Sequence, residues 1–381
     1  MAEQVERLAR DYEVHLYSNS VEDVDMSDIV WHRVPPLPGP HLLAYLWWFG
    51  ANHVQRWWDR HFRGLRYDLL YTPGINCADA DLISVHIVFA EFYEQVRGGL
   101  TFKGNPARAW LRLIHRRSYY ALIKMLERWI YARKHRPLTV VSRKVSADLE
   151  RHYGRGDYLP VIYHGWDHSR LSPNKRVLLR PHARQVLLLS ENSFVLLLIG
   201  NDWKKKGLPS LLESLRQVQG HDVRVLVVGS DSGAPYASFV QRNGLQDRVQ
   251  FLPLRKDVEF YYAAADAYVG PSLEDAFAMP PLEAMACGLP VIVSSQAGVS
   301  EIVTHGVDGL VLKDPTDSAS LAQMIARLTD EPSLRETLGE NAAATALQYT
   351  WERNATELRT ICETVMRRRA NIQAGASQSL V

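Results

Sequence analysis

Asp275 and Glu283 stand eight positions apart within Pro271–Pro290 (PSLEDAFAMPPLEAMACGLP). A small-residue turn, Ala276-Phe277-Ala278, separates the first acid from a helix-like stretch. Gly288 and Pro290 end that stretch, and an apolar run, Val291-Ile292-Val293, follows. The order reads strand, tight turn, helix, strand. A helix N-terminus behind a tight turn aims backbone N–H groups at one point, which suits a phosphate. A carboxylate accepts hydrogen bonds from sugar hydroxyls. Both parts together are shaped for a nucleotide sugar.

A second segment with chemistry is Gly200-Asn201-Asp202-Trp203-Lys204-Lys205-Lys206-Gly207, directly after the apolar run Phe194–Ile199. A strand that ends in glycine places a ligand at the carboxyl edge of a sheet. Lysines there can neutralise a diphosphate as compact point charges. A lysine triplet by itself is ordinarily a solvated surface; the position at a strand end favours anion binding. The spacing is not that of a Walker loop, and no G-x-G-x-x-G occurs, which disfavours a nicotinamide-dependent oxidoreductase.

The elements that must hold these residues alternate between β-like runs and helical patterns. The runs are Val14–Tyr17, Ile29–Val34, Leu69–Thr72, Leu82–Phe89, Thr139–Ser142 and Val161–Tyr163, then Val195–Ile199, Val223–Val228, Val249–Leu252, Ala267–Val269, Pro290–Ser294 and Leu310–Leu312. Between them lie stripes such as Leu111, Ile114, Leu122, Met125 and Trp129. This predicts an α/β chain with parallel sheets covered by helices. A turn at Ser172-Pro173-Asn174 and a basic, proline-broken stretch from Arg176 to Arg184 mark a seam. The expected division is an N-terminal acceptor-side Rossmann-like domain over 1–175 and a nucleotide-sugar-binding domain over 185–345. A closing helix over 346–370 would cross back to the first domain, and a polar tail after about residue 370 is expected to fray. Two doubly wound sheets facing a cleft are the simplest architecture.

The chain has 381 residues, 46% of them apolar, enough for cores and against disorder. Its net charge of +2 hides an asymmetry: residues 1–94 hold 7 basic against 14 acidic side chains, and residues 95–185 hold 20 against 5. The basic middle reads either as a solvated helical face or as contact with an anionic membrane or acceptor. Nucleic acid is disfavoured, because no reading motif accompanies the charge. Cys77, Cys287 and Cys362 form neither a disulfide framework nor a metal spacing, which fits a reducing compartment. No apolar run reaches the length of a membrane span, and no signal peptide opens the chain. Trp47, Trp48, Trp57 and Trp58 are expected to be buried aromatic packing, with a lipid interface as the alternative. Asp79-Ala80-Asp81 imitates a metal-binding D-x-D motif but sits before a strand, where a turn role is expected. His115, His135 and His152 show no zinc spacing.

Taken together, the motifs resemble the retaining glycosyltransferases of family four (glycosyl transferases group 1), which have the GT-B fold. Asp275 and Glu283 match the family's acid, seven residues, acid pattern, and Gly200–Gly207 matches its G-R-L-x-x-x-K-G loop. Tyr261–Ser272 (YYAAADAYVGPS), Gly298–Leu312 (GVSEIVTHGVDGLVL), Thr139–Leu149, Val161–Pro173 and Tyr349–Ala355 also match. The resemblance spans nearly the whole chain and is strongest from residue 195. It implies that Glu283 binds the donor ribose and Asp275 the transferred sugar. Lys206 would neutralise the diphosphate with Gly200, Asn201 and Lys205 nearby, and the amides of Phe277, Ala278 and Met279 would cradle the phosphates. By itself His86, following Ile83-Ser84-Val85, reads as a core histidine. The resemblance makes it the residue that reaches the donor sugar. His86, Lys206 and Asp275 are thus the implied catalytic set, with no metal and no cofactor beyond a UDP- or GDP-linked sugar. The implied acceptor is a glycan or lipid-linked molecule in cell-envelope polysaccharide or glycolipid synthesis. The implied location is the cytoplasm, with contact at the inner membrane face through residues 95–185.

Four departures qualify this. The first acid is aspartate rather than glutamate, Ala278 replaces a glycine, and Asn201 replaces an arginine. The start, MAEQVERLARDYEVHLYSNS, matches the family's first helix and second strand, so the first strand and its glycine-rich turn are absent. The expectation is that the true start lies further upstream; the alternative is a catalytically impaired nucleotide-binding protein. Either way, a core strand position should stand empty.

Overall fold

The computed structural model describes residues 2–100, 110–218 and 220–378. Two units emerge, Met1–Ile162 with Asn354–Val381, and Tyr163–Arg353. The sequence boundaries were drawn at 175–185 and 345.

The first unit contains α1 (Ala2–Ala9), β1 (Val14–Ser18), β2 (Ile29–Arg33), α2 (His41–Phe62), β3 (Tyr71–Pro73), β4 (Leu82–Val85), α3 (Phe89–Val96), α4 (Trp110–Tyr131), β5 (Leu138–Val140) and α5 (Arg143–Tyr153). Its strands form two separate parallel sheets, β1-β2 and β3-β4-β5. β1 pairs only with β2, and β3 only with β4, among the described residues. The edges of β1 and β3 are therefore not joined to each other by a ladder among the described residues. The run Leu82–Phe89 is strand only to Val85; from Phe89 it is helix.

The second unit contains α6 (Pro173–Val186), β6 (Phe194–Ile199), α7 (Leu208–Gln217), β7 (Val223–Val228), α8 (Ala234–Arg242), β8 (Val249–Leu252), α9 (Glu259–Ala264), β9 (Ala267–Gly270), α10 (Met279–Ala286), β10 (Val291–Ser294), β11 (Leu310–Leu312), α11 (Ser318–Asp330) and α12 (Pro332–Ala346). From Trp351, α13 runs to Gln378, so the tail expected to fray continues as helix. Six parallel strands lie in the order β11-β10-β9-β6-β7-β8. Every residue of β6, β9 and β10 is buried. Such strands, covered on both faces, read as unbroken apolar runs. The core joins Leu196, Leu198, Val225, Val227 and Val269 to Leu211, Leu215, Leu321 and Ile325 of α7 and α11.

The stretch expected to be a broken linker is a 14-residue helix, α6, with Pro181 inside it. Ser172 caps it by accepting from Lys175 N–H. Arg184 explains its order. Its fully buried guanidinium donates to the carbonyls of Ala264, Ser190 and Ser193 and to Asp266. A buried charge persists when it is paired and hydrogen-bonded. Here both terminal nitrogens are bonded and Asp266 supplies the counter-charge, while Nε has no hydrogen-bond partner among the described residues.

Two surface expectations are corrected. Trp47, Trp57 and Trp58 are about half exposed rather than buried. On α4 the buried face carries Leu113, Tyr120, Ile123, Glu127 and Ile130, whereas Leu111, Ile114, Met125 and Trp129 from the apolar stripe point outward. Residues 101–109 of the basic stretch lie outside the described residues. Among the described residues, no helix is long and apolar enough to cross a membrane. Asp79 holds Arg56 through two 2.8 Å bonds, and Asp81 accepts the Leu70 N–H, so both acids serve local structure.

Candidate functional site

β6 is the strand at which the second sheet reverses direction, with β7 on one side and β9 on the other. Ligands of open α/β sheets gather beyond the carboxyl ends of strands at such a point. Two loops leave from there: residues 200–207 after β6, and residues 271–278 after β9.

The first loop is pinned to the second. Gly207 has φ +81°, and a Cβ there would lie 1.8 Å from the Pro271 carbonyl oxygen, so only glycine fits. Leu273 N–H donates to Lys205 O at 2.8 Å. Lys205 Nζ lies 2.5 Å from Glu274 Oε2, and Lys206 Nζ forms an ion pair with Asp275 Oδ2. Sequence-distant residues 206 and 275 thus meet at the switch point. Gly200, at φ +144°, packs against the Lys206 side chain, where a Cβ would come within 2.9 Å of Cε. Asn201 is used differently: its Oδ1 accepts the Ser230 N–H at 2.9 Å, tying this loop to the end of β7. Lys204 is exposed.

Asp275 is fixed by its backbone, with its N–H on Gln296 O and its carbonyl accepting Gly298 N–H. Its Oδ1 also accepts the Phe277 N–H at 3.3 Å. Phe277 is buried, and its carbonyl accepts Val299 N–H at 2.7 Å. Pro280 and Pro281 occupy the first turn of α10, where they remove two of the four N–H groups that a helix start normally presents. The N–H donors at this helix start are therefore fewer than usual. The amides of Ala278 and Met279 remain. Ala278 sits at φ +71°, ψ +105°, a conformation that L residues rarely adopt. Ala278→Gly is expected to raise stability by about 1 kcal/mol, measured by urea denaturation, because glycine enters this region without steric cost.

Glu283 lies on α10, one turn from its start. Its Oε2 accepts the Tyr262 hydroxyl at 2.6 Å. Burial raises its pKa above the ordinary carboxylate value, against the Tyr262 bond and the Arg170 charge, which lower it. The neighbour that orients it, Tyr262, was not legible from spacing; nor was the Lys205–Glu274 pair.

His86 belongs to the other unit and follows β4. Burial lowers its pKa to about 4, so the ring is neutral at physiological pH. Its loop leads into α3, whose first N–H groups are held by Glu127 of α4: Phe89 N–H donates to Oε1 at 2.8 Å and Ala90 N–H to Oε2 at 3.0 Å. The Tyr153 hydroxyl also donates to Oε2, at 2.6 Å. Burial pushes the Glu127 pKa to about 7. A carboxyl raised on folding contributes stability below its unfolded pKa, and that contribution is lost as pH rises through the folded pKa. Wild-type Tm should therefore fall between pH 5 and pH 8 by more than that of Glu127→Gln, measured by calorimetry in matched buffers.

Among the described residues, no cluster of three or more histidine, cysteine or acidic side chains could hold a metal.

Residues 180–345 match the family model for glycosyl transferases group 1. The chain is 29% identical over 283 residues to the lipopolysaccharide glucosyltransferase WaaG of Escherichia coli K12, covering 71% of this chain and 69% of that protein. It is 30% identical over 220 residues to a D-inositol 3-phosphate glycosyltransferase of Arthrobacter sp. FB24, of which it spans 51%. The crystal structure of WaaG superposes with a TM-score of 0.76 at 22% identity, covering 94% of each chain. Anabaena Alr3699/HepE in complex with UDP-glucose superposes at 0.67 and 20% identity, over 95% of this chain and 94% of that one. These superpositions establish the fold class, two Rossmann-like α/β units of GT-B type. Residues 180–345 are thus similar to glycosyl transferases group 1, and the chain spans about half the length of the D-inositol 3-phosphate glycosyltransferases it matches.

Proposed function

We propose that the chain is a retaining, metal-independent glycosyltransferase. It moves a sugar from a UDP- or GDP-linked donor to a glycan or lipid-linked acceptor in cell-envelope polysaccharide or glycolipid synthesis. The observation that carries this reading is the Lys206–Asp275 pair at the sheet's switch point, beside the start of α10. In the reaction, Lys206 exchanges Asp275 for the diphosphate, and Asp275 takes hydroxyls of the transferred sugar. Glu283, held by Tyr262, takes the ribose hydroxyls, and the amides of Ala278 and Met279 reach the phosphates. The acceptor oxygen bonds to the anomeric carbon on the face from which the diphosphate leaves. The carbon–oxygen bond to phosphate breaks, and the acceptor proton passes to the departing phosphate oxygen. An ammonium and backbone amides aimed at the leaving group stabilise the growing negative charge. His86 is assigned to the donor sugar on the resemblance alone.

UDP-glucose, the ligand of the similar Anabaena protein, is the first donor to assay. The anomeric configuration of the product, read by NMR, tests retention. If Lys206→Ala and Glu283→Ala transferred sugar at the wild-type rate, the site would be wrongly assigned.

Membrane association belongs to the same reading, with the protein at the cytoplasmic face. α2 and α4 pack together through Tyr45 and Tyr119. They expose Leu43, Trp47, Trp57, Trp58, Leu111, Ile114 and Trp129 alongside Arg112, Arg116 and Arg128. Aromatic and basic side chains together suit an anionic bilayer surface. Co-sedimentation with phosphatidylglycerol vesicles, lost at high salt, is the expected result.

A catalytically impaired nucleotide-binding protein is the second reading, favoured by the positive φ of Ala278 and the break between β1 and β3. Calorimetry with UDP and GDP separates the two: binding without turnover of any donor supports impairment.

A further inference from the structure

Tyr163 is the first residue of the second unit, and its side chain reaches the turn that carries Asp275 by two routes. Its hydroxyl donates to Glu301 Oε2 at 3.0 Å. Its ring lies 5.8 Å from that of Phe277, centroid to centroid. His164 follows and sets its own ring edge-on to the same phenylalanine, at 5.5 Å. Aromatic pairs at such spacings are held by ring electrostatics as well as by burial. Glu301 belongs to a short 3-10 helix, Gly298–Ile302. The first two residues of that helix grip the turn directly. Gly298 N–H donates to Asp275 O at 3.0 Å, and Val299 N–H donates to Phe277 O at 2.7 Å. One tyrosine therefore touches both the phenylalanine inside the turn and the helix whose amides the turn's carbonyls accept.

The segment that bears Tyr163 is itself fixed. Gly165 approaches the backbone ahead of α13 so closely that a Cβ would lie 2.2 Å from Trp351 N. Trp166 is buried, and its indole N–H donates to Ala346 O at 2.6 Å. Its backbone N–H donates to Tyr349 O at 3.3 Å. The Tyr349 ring stands edge-on to Tyr163 at 5.7 Å. A side chain on an anchored segment can hold a neighbouring loop in place rather than follow it.

We propose that Tyr163 is a positioning residue for sugar transfer: with its hydroxyl on Glu301 and its ring on Phe277, it holds the 275–278 turn where Asp275 and the following amides meet the donor. This rests on the reading of that turn as part of the donor site. Plain packing is the competing account, and it needs the ring but not the hydroxyl.

Three variants of the full chain separate these accounts. Tyr163→Phe removes the hydroxyl and keeps the ring, Glu301→Ala removes the acceptor, and Glu301→Gln keeps an acceptor oxygen. Calorimetry gives the affinity for UDP and GDP, transfer assays give kcat and donor KM, and hydrogen exchange reports on the unliganded turn. Tyr163→Phe and Glu301→Ala should each weaken nucleotide binding and raise donor KM by about fivefold, the scale of one hydrogen bond. The double variant should be no weaker than either single one, because both remove the same contact. Glu301→Gln should stay near wild type. Exchange of the Gly298 and Val299 amides should quicken by a similar factor in the two damaging variants, while that of Val223–Val228 does not change. A loss of folded protein would lower kcat alone, so KM and affinity distinguish positioning from stability. Unchanged affinity and exchange in Tyr163→Phe, additive losses in the double variant, or a Glu301→Gln variant as weak as Glu301→Ala would each overturn the proposal. Should the wild-type chain bind neither nucleotide, the proposed function fails by itself, and exchange at Gly298 and Val299 alone decides whether Tyr163 holds the turn.

Discussion

Lys206→Ala should lower sugar transfer by about 10²–10³-fold while leaving the unfolding midpoint close to wild type, since loss of one preorganised charge-stabilising donor typically costs that much in rate. The two readouts separate for a structural reason. Lys206 Nζ is partly exposed and its partner Asp275 is also held by backbone bonds to Gln296 and Gly298. Removing the ammonium therefore leaves the loop in place. A partly exposed ion pair contributes little to stability in any case. On the proposed mechanism the leaving diphosphate, by contrast, gains charge as its bond to the sugar breaks, and Lys206 would be the cation that meets it. Transfer rates at saturating donor, with a parallel thermal melt, check both halves. An equal fall in rate and Tm would mean that the lysine acts through the fold.

Gly207→Ala should have the opposite signature: a loss of several kcal/mol of stability together with loss of donor binding. A Cβ at Gly207 would meet the Pro271 oxygen at 1.8 Å and its carbon at 2.6 Å, both backbone atoms that cannot rotate away. The positive φ adds about 1–2 kcal/mol of its own. The 200–207 loop would have to lift off the turn after β9, separating Lys206 from Asp275 and Lys205 from Glu274. Urea denaturation gives the stability, and calorimetry with UDP gives the binding. Near-wild-type affinity in this variant would show that the two loops do not act together.

The sheet of the second unit was readable from sequence because its central strands β6, β9 and β10 are buried on both faces. Phe194–Ile199 stands out as an unbroken apolar run, Val223–Val228 and Val249–Leu252 as apolar runs broken by one polar residue each, Arg224 and Gln250, and their bounds agree with the structure within a residue. The loops that carry Asp275 and Lys206 were readable because they leave such strands; the roles of these residues and of Glu283 on α10 belong to the proposed function. The helices of the first unit were harder. The stripe Leu111, Ile114, Met125, Trp129 has the period of a buried face, yet α4 turns Leu113, Tyr120, Ile123 and Ile130 inward instead. Both stripes are apolar, so periodicity alone does not choose between them. The Arg176–Arg184 stretch looked like a linker because its buried charge finds partners on α9 and beyond, more than 80 positions away in some cases. Pairs such as Asn201–Ser230 and Tyr262–Glu283 are hidden for the same reason: contact across a sheet leaves no local spacing.

The strand order of the second sheet has a consequence for synthesis. β6 (FVLLLI) gains β7 on one edge soon after it leaves the ribosome, but its other edge belongs to β9. Until residue 267 emerges, a six-residue, uncharged, wholly apolar strand offers an open border to any neighbouring nascent chain. Segments of that kind are where aggregation starts. Fragments truncated between β7 and β9 should therefore precipitate on expression, whereas those that include β9 stay in solution.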